Sequence, residues 1–198
     1  MRILILSDIP DKKYWDYYQE GMLNEFDLIL SCGDLPPAYL SFIVTFAKAP
    51  VLYVHGNHDD CYNSTPPEGC ICIDNKVYNF NGLRILGLGG SMRYKDGDHQ
   101  FTDKEMLHRV NKLRLPLWKS KGFDILLTHS PAKGLSDGED LPHRGFQAFI
   151  DLMDKYNPKY FIHGHVHLNY SRKHKRTYKY KETVVINGFQ SYILDIDD

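Results

Sequence analysis

Five short apolar runs in this chain each stop at a cluster of residues able to hold a metal ion. Leu6 runs into Ser7-Asp8, and Leu30 leads to Cys32-Gly33-Asp34. Val54 runs into His55-Gly56-Asn57-His58-Asp59, Leu127 into Thr128-His129-Ser130, and Ile162 into His163-Gly164-His165-Val166-His167. Runs of this length and composition suit strands buried on both faces. In open α/β sheets, ligands lie just beyond the carboxyl ends of the parallel strands. Five strand ends therefore converge on one pocket carrying Asp, Asn and His. A lone Asp after a strand is ordinarily a turn residue and a lone buried His an ordinary core group. The order and number of the clusters carry the inference, not any single member.

The segments between these runs predict alternating strands and helices. Strands are expected at Arg2–Leu6, Phe26–Leu30 and Val51–Val54, with helix-like aromatic spacing over Lys12–Asn24 and a helix over Pro36–Lys48 that begins at proline. That order implies parallel pairing with right-handed crossovers. Ile71–Phe80 and Leu83–Leu88 read as a hairpin turning at Asn81-Gly82. Thr102-Asp-Lys-Glu105 is a capping-box pattern opening a helix to Leu113. Further strands are expected at Phe123–Thr128, Tyr160–Ile162, Val184–Asn187 and Tyr192–Ile196, and a helix at Phe146–Tyr156, stopped by Asn157-Pro158. The 198 residues fit a single domain spanning 1–198, with no repeat or linker to split it.

Charge and cysteine usage narrow the class. Twenty-four basic against 25 acidic residues leave a net charge of −1, which argues for neither a nucleic-acid nor a membrane partner. Met1–Leu6 is too short for a signal-peptide core, and no apolar run approaches the roughly 18 residues that span a bilayer. A cytoplasmic protein is expected, with Cys32, Cys61, Cys70 and Cys72 reduced, since no CxxC pair is present.

Carboxylate, amide oxygen and neutral imidazole suit Mn, Fe, Zn, Ni or Mg, and no thiolate stands at the five positions as a structural zinc site would need. Asp34 is placed to bridge two cations with its two oxygens. Two divalent metal ions about 3.5–4 Å apart clamp a phosphate and generate a hydroxide that attacks phosphorus in line.

Asp8, Gly33-Asp34, Gly56-Asn57-His58-Asp59, Thr128-His129 and Gly164-His165-x-His167 together resemble the ordered motifs of the calcineurin-like metallophosphoesterases, over about positions 1–190. The resemblance implies an α/β fold of two β-sheets packed face to face and flanked by helices. It implies Asp8, Asp34 and His167 on a first metal, and Asp34, Asn57, His129 and His165 on a second. It implies that His58 protonates the leaving oxygen, with Asp59 orienting it. One motif departs from the family: the usual Asp-x-His reads Asp8-Ile9-Pro10, and proline offers no ligand. His99 and His143 are conceivable replacement donors.

On the substrate side, Arg93 is a candidate phosphate partner and Tyr94 a stacking surface, after Gly89-Gly90. The stretch Ser136–Gly145, with Asp137, Glu139, His143 and Arg144, is a candidate pocket wall. Tyr170, Arg172, Lys173, Lys175, Arg176, Tyr178, Lys179, Tyr180 and Lys181 form a basic, aromatic stretch. It reads first as the solvated face of a hairpin and second as a nucleic-acid track. Hydrolysis of a small phosphate ester, mono- or diester, is thus the leading expectation. A non-catalytic binding scaffold and a nuclease are the alternatives.

Overall fold

The computed structural model of the chain describes residues 1–169 and 175–196. Strand alternation builds two sheets. In the first, β1 (Arg2–Ser7), β2 (Leu28–Ser31), β3 (Val51–Tyr53) and β4 (Ile71–Cys72) run parallel, and β13 (Gln190–Asp195) closes the edge antiparallel to β1. In the second, β6 (Leu83–Leu88), β9 (Ile125–Thr128), β10 (Tyr160–His163) and β12 (Thr183–Asn187) run parallel, with β5 (Lys76–Phe80) and β11 (Thr177–Tyr180) antiparallel at the edges. A short ribbon, β7 (Ser91–Met92) with β8 (Gln100–Phe101), lies beyond the end of β6.

Period-two side-chain alternation decides which layer each residue joins. Ile3, Ile5, Leu28, Leu30 and Leu52 of the first sheet meet Ile85, Ile125, Leu127, Ile162 and Ile186 of the second in one buried cluster. The intervening residues point outward. Leu4, Leu6, Ile29 and Val51 pack under α1 (Pro37–Phe46) through Tyr39, Leu40 and Ile43. Leu86, Leu88, Leu126 and Phe161 pack under α2 (Asp103–Lys112), α3 (Arg114–Lys119) and α4 (Gln147–Tyr156) through Met106, Leu117, Phe149 and Leu152. The result is helix, sheet, sheet, helix, as the family resemblance implied. Among the described residues, no helix is long and apolar enough to cross a membrane.

Local signals set the boundaries. The Thr102–Glu105 capping box forms in full. Asn81 and Gly82, at φ 49° and 94°, make the two-residue turn between β5 and β6. Asn157 ends α4 in the left-handed conformation at φ 46°.

Two expectations need correction. Lys12–Asn24 forms no α-helix: a three-residue 3-10 turn, Lys12–Tyr14, gives way to turns, with Gly21 at φ 87°. Its aromatics instead clasp α1, with Trp15 5.2 Å from Tyr39 and Tyr18 5.2 Å from Phe42 between ring centroids. Tertiary packing overrides the helical spacing there. The expected strand Ile71–Phe80 is broken, because Asn75 takes a left-handed φ of 55° and sends β4 and β5 into different sheets. The helix α3 and the strand β11 add to the expected elements. Tyr170, Arg172 and Lys173 of the basic stretch lie outside the described residues.

Leu127 is fully buried in the inter-sheet cluster. Leu127→Ala should cost about 2–5 kcal/mol, read from the urea midpoint at constant slope. A loss under about 1 kcal/mol would mean that the sheets do not close on each other there.

Candidate metal centre

The carboxyl ends of β1, β2 and β3 in one sheet, and of β9 and β10 in the other, meet at one edge of the sandwich. Each chain exit turns sharply. Asp8, Asp34 and His165 all adopt positive φ, at 66°, 57° and 67°, a conformation seldom taken by residues with side chains and held only where the surroundings over-determine it. Close approach explains two of the glycines. A Cβ at Gly33, itself at φ 94°, would lie 2.7 Å from Gly56 Cα, and one at Gly164 would lie 2.8 Å from Asp8 Oδ2.

Backbone-to-carboxylate hydrogen bonds hold the turns. Asp59 Oδ2 accepts from Asp34 N–H at 2.9 Å and from Gly56 N–H at 2.7 Å. Asp34 Oδ1 accepts from His58 N–H at 2.8 Å. Asp8 accepts from His165 N–H at 2.9 and 3.1 Å, which ties the first sheet to the second. His129 Nδ1 donates to Cys32 O at 2.8 Å, a second cross-sheet tie, and leaves Nε2 as the inward nitrogen.

Donors converge around that nitrogen. His129 Nε2 is 2.9 Å from Asn57 Oδ1 and 3.4 Å from Asp34 Oδ2. Atoms bound to one cation at about 2.0–2.2 Å sit roughly 3.0–3.5 Å apart, so these three already stand at coordination spacing. Ligand atoms of Asp34, His129 and His165 all lie within 4.8 Å of one another. His165 Nε2 donates to Pro142 O at 2.8 Å, which directs Nδ1 to the centre. Beside them, Asp8 Oδ1 and His167 Nε2 are 4.0 Å apart. Asp8, Asp34, His58, His143, His165 and His167 line a cleft of about 350 Å³. The oxygen and nitrogen donors of Asp34, His129 and His165 suit a divalent cation, with Asp8 and His167 beside them.

The electrostatics of the cleft follow from burial and proximity. Burial raises the Asp8 carboxyl against the pull of His129. Burial also opposes ionisation of Asp34, but His129 and the His58 N–H prevail and hold it below the ordinary carboxylate range. Burial would lower His129, yet the Asp34 charge and hydrogen bond lift it to about 9. Burial, reinforced by the His129 charge, holds His165 down to about 3. Asp59 rises to about 6 through burial and the neighbouring Asp34.

The remaining expected site residues divide. Asp59 Oδ2 accepts from two loop N–H groups, and among the described residues no hydrogen bond joins it to the His58 ring. Arg93 does not line the cleft: its guanidinium pairs with Glu105 at 2.9 Å and donates to Gln100 O of the ribbon. Tyr94 does reach the centre, accepting from Asn57 Nδ2 at 3.3 Å and so fixing which way that amide faces. His143 lines the cleft, with Nδ1 2.7 Å from Asp140 Oδ2. His99 is stacked on His55 at 4.3 Å and does not line it. Asp140 is an addition to the expected set, and the Asp140-x-x-His143 spacing is the signal that could have found it. The Pro142 carbonyl, being backbone, leaves none.

The family model described as calcineurin-like phosphoesterase matches residues 1–169. An uncharacterized protein of Haemophilus influenzae is 29% identical over 220 aligned positions, which cover 96% of this chain and 92% of that protein. A lariat debranching enzyme of Caenorhabditis briggsae is 26% identical over 74% of this chain, and the match spans 41% of that enzyme. Among solved structures, TT1561 of Thermus thermophilus shares the fold with a TM-score of 0.60 at 15% identity, covering 96% of this chain and 89% of that one.

Because His129 is held up to about 9, it carries its proton at neutral pH and loses it only as pH rises through that value. A cation requires the neutral imidazole, so metal uptake should expel about one proton. Apparent affinity should then climb roughly tenfold per pH unit toward that value. Calorimetric titration of Mn²⁺ in two buffers of different ionisation heat measures the proton directly. Heats independent of buffer would show that His129 is not displaced by metal.

Proposed function

Since the chain belongs to the calcineurin-like phosphoesterase family, we propose that it hydrolyses a small phosphate ester, mono- or diester, at two divalent cations held in this cleft. The observation that carries the reading is the convergence of buried Asn57 and His129 on Asp34, at 2.9 and 3.4 Å, where Asp34 and His58 line the cleft. Asp8, Asp34 and His167 would hold one cation, and Asp34, Asn57, His129 and His165 the other. The donor chemistry suits Mn, Fe or Zn. When bound, such a pair clamps phosphoryl oxygens and activates water for in-line attack.

The chain's own residues do the rest. His58, exposed at the rim with its backbone N–H on Asp34, gives its proton to the departing oxygen as the phosphorus–oxygen bond breaks. A water oxygen forms the new bond to phosphorus. Tyr94 orients the Asn57 amide so that its oxygen faces the centre.

The nuclease alternative gains little from the basic stretch. Arg176 is engaged by the Asn187, Phe189 and Ser191 carbonyls, and Lys181 by Asp154, so these two cations serve the fold. The C. briggsae relative is a debranching enzyme, which keeps a phosphodiester within the proposed substrate range. Cytoplasmic residence is part of the proposal, supported by four unpaired cysteines.

The test combines metal content with turnover of chromogenic phosphate mono- and diesters. His58→Ala should slow turnover by about 10²–10⁴ while retaining metal, as loss of a general acid does. Asp34→Asn should lose both metal and turnover. If the fully loaded protein cleaves no ester, the binding-scaffold reading replaces this one; if His58→Ala sheds metal, His58 is a ligand rather than the acid.

A further inference from the structure

The first cation position is short of donors. Pro10 stands where the resemblance calls for a histidine, so this chain's motifs supply only Asp8, His167 and the shared Asp34 there. Three protein donors and water can hold such a cation, and a fourth side chain would hold it more tightly. Resting on the two-cation reading above, we infer that His143 supplies the donor that position 10 cannot.

The cleft itself narrows the choice. Among the described residues six line it, and five of them belong to the motifs; His143 is the sixth. Its Nδ1 lies 2.7 Å from the Asp140 carboxylate, the kind of contact that orients ligating histidines. Its ring stands 5.0 Å from the His165 ring at an interplanar angle of 36°.

The segment that carries His143 is anchored to the centre. Pro142 O accepts from His165 Nε2 at 2.8 Å, so the residue before His143 is bonded to a proposed ligand of the second cation. Asp137 closes the loop behind it, accepting from Gly134 N–H at 2.9 Å and Gly145 N–H at 3.0 Å, and Gly138 N–H bonds the His143 carbonyl at 2.9 Å. A surface histidine on a loose loop has no such framework. His99, the other candidate, lies against His55 and outside the cleft lining.

The experiment reads metal binding, not activity. Stripped protein is titrated with Mn²⁺ by calorimetry, and stoichiometry is checked by elemental analysis at fixed free Mn²⁺. Wild type should take two equivalents. His143→Ala and His143→Gln should keep one equivalent at unchanged affinity and weaken the other by about 10–100-fold or more. Pro10→His added to His143→Ala should restore the second equivalent. Retention of the first equivalent reports that the variants are folded. Two equivalents at unaltered affinity in both His143 variants would overturn the assignment, and a raised KM alongside would make His143 a substrate contact instead. A wild-type stoichiometry of one would overturn the two-cation reading itself, and the His143 assignment with it.

Discussion

The site depends on two carboxylates that accept hydrogen bonds from backbone. Asp59 Oδ2 draws in the N–H groups of Asp34 and Gly56, and Asp34 Oδ1 draws in that of His58. These three bonds lock the exit of β2 to the exit of β3. Charge-assisted bonds of this kind are short and about twice as strong as neutral ones. With them in place Asp34 holds its left-handed φ, and Tyr94 turns the Asn57 amide oxygen to His129. The donor geometry is thus imposed by the protein before any cation arrives, which is what preorganisation requires.

That arrangement places unlike charges at the end of an apolar sandwich, and the sandwich makes them matter. Ile5, Leu30, Leu127 and Ile162, all fully buried, form the floor beneath the turns and exclude water from them. Burial raises the Asp8 carboxyl, while the Asp34–His129 pair drives its two members apart in proton affinity. An ion pair buried this far must be well bonded to persist. The His129 proton supplies positive charge to Asp34, as a cation would. His165, held neutral, is already in the state a metal requires.

Much of this is legible in the sequence because strand burial and motif position coincide. A run such as Ile125–Thr128 needs no tertiary information to be recognised, and the polar residue that follows it inherits a fixed place at the sheet edge. The strand ends therefore bring Asp8, Asp34, Asn57, His129, His165 and His167 to one edge of the sandwich, although which atoms face each other is not legible. The departures share a cause. The place of Asp59 depends on which N–H groups lie across the turn, and that of Arg93 on Glu105 one loop away. The aromatic segment after β1 carries helical spacing but folds to the shape of α1, which sequence periodicity does not encode.

A second cluster shows why residue types alone do not define a metal site. His55, Cys72 and Asp74 also bring ligand atoms within 4.8 Å of one another. Yet Asp74 Oδ2 accepts from His55 N–H at 3.1 Å and lies 2.7 Å from His55 Nδ1, while Oδ1 accepts from Gly89 N–H and pairs with Arg109 at 3.2 Å. Four donors occupy both oxygens, leaving none of the directions a cation would need. The burial of Asp74 is offset by these partners, which hold its carboxyl down to about 2. What the cluster does is mechanical: it joins the end of β3, the end of β6 and helix α2 at the residue that begins the His55–Asp59 loop. Asp34 differs, since its Oδ2 faces the His129 imidazole at 3.4 Å, a long hydrogen bond whose spacing also suits two ligands of one ion. Carboxylate and imidazole thus build a strut in one place and converge as donors in the other, and the difference lies in which carboxylate lone pairs are already filled.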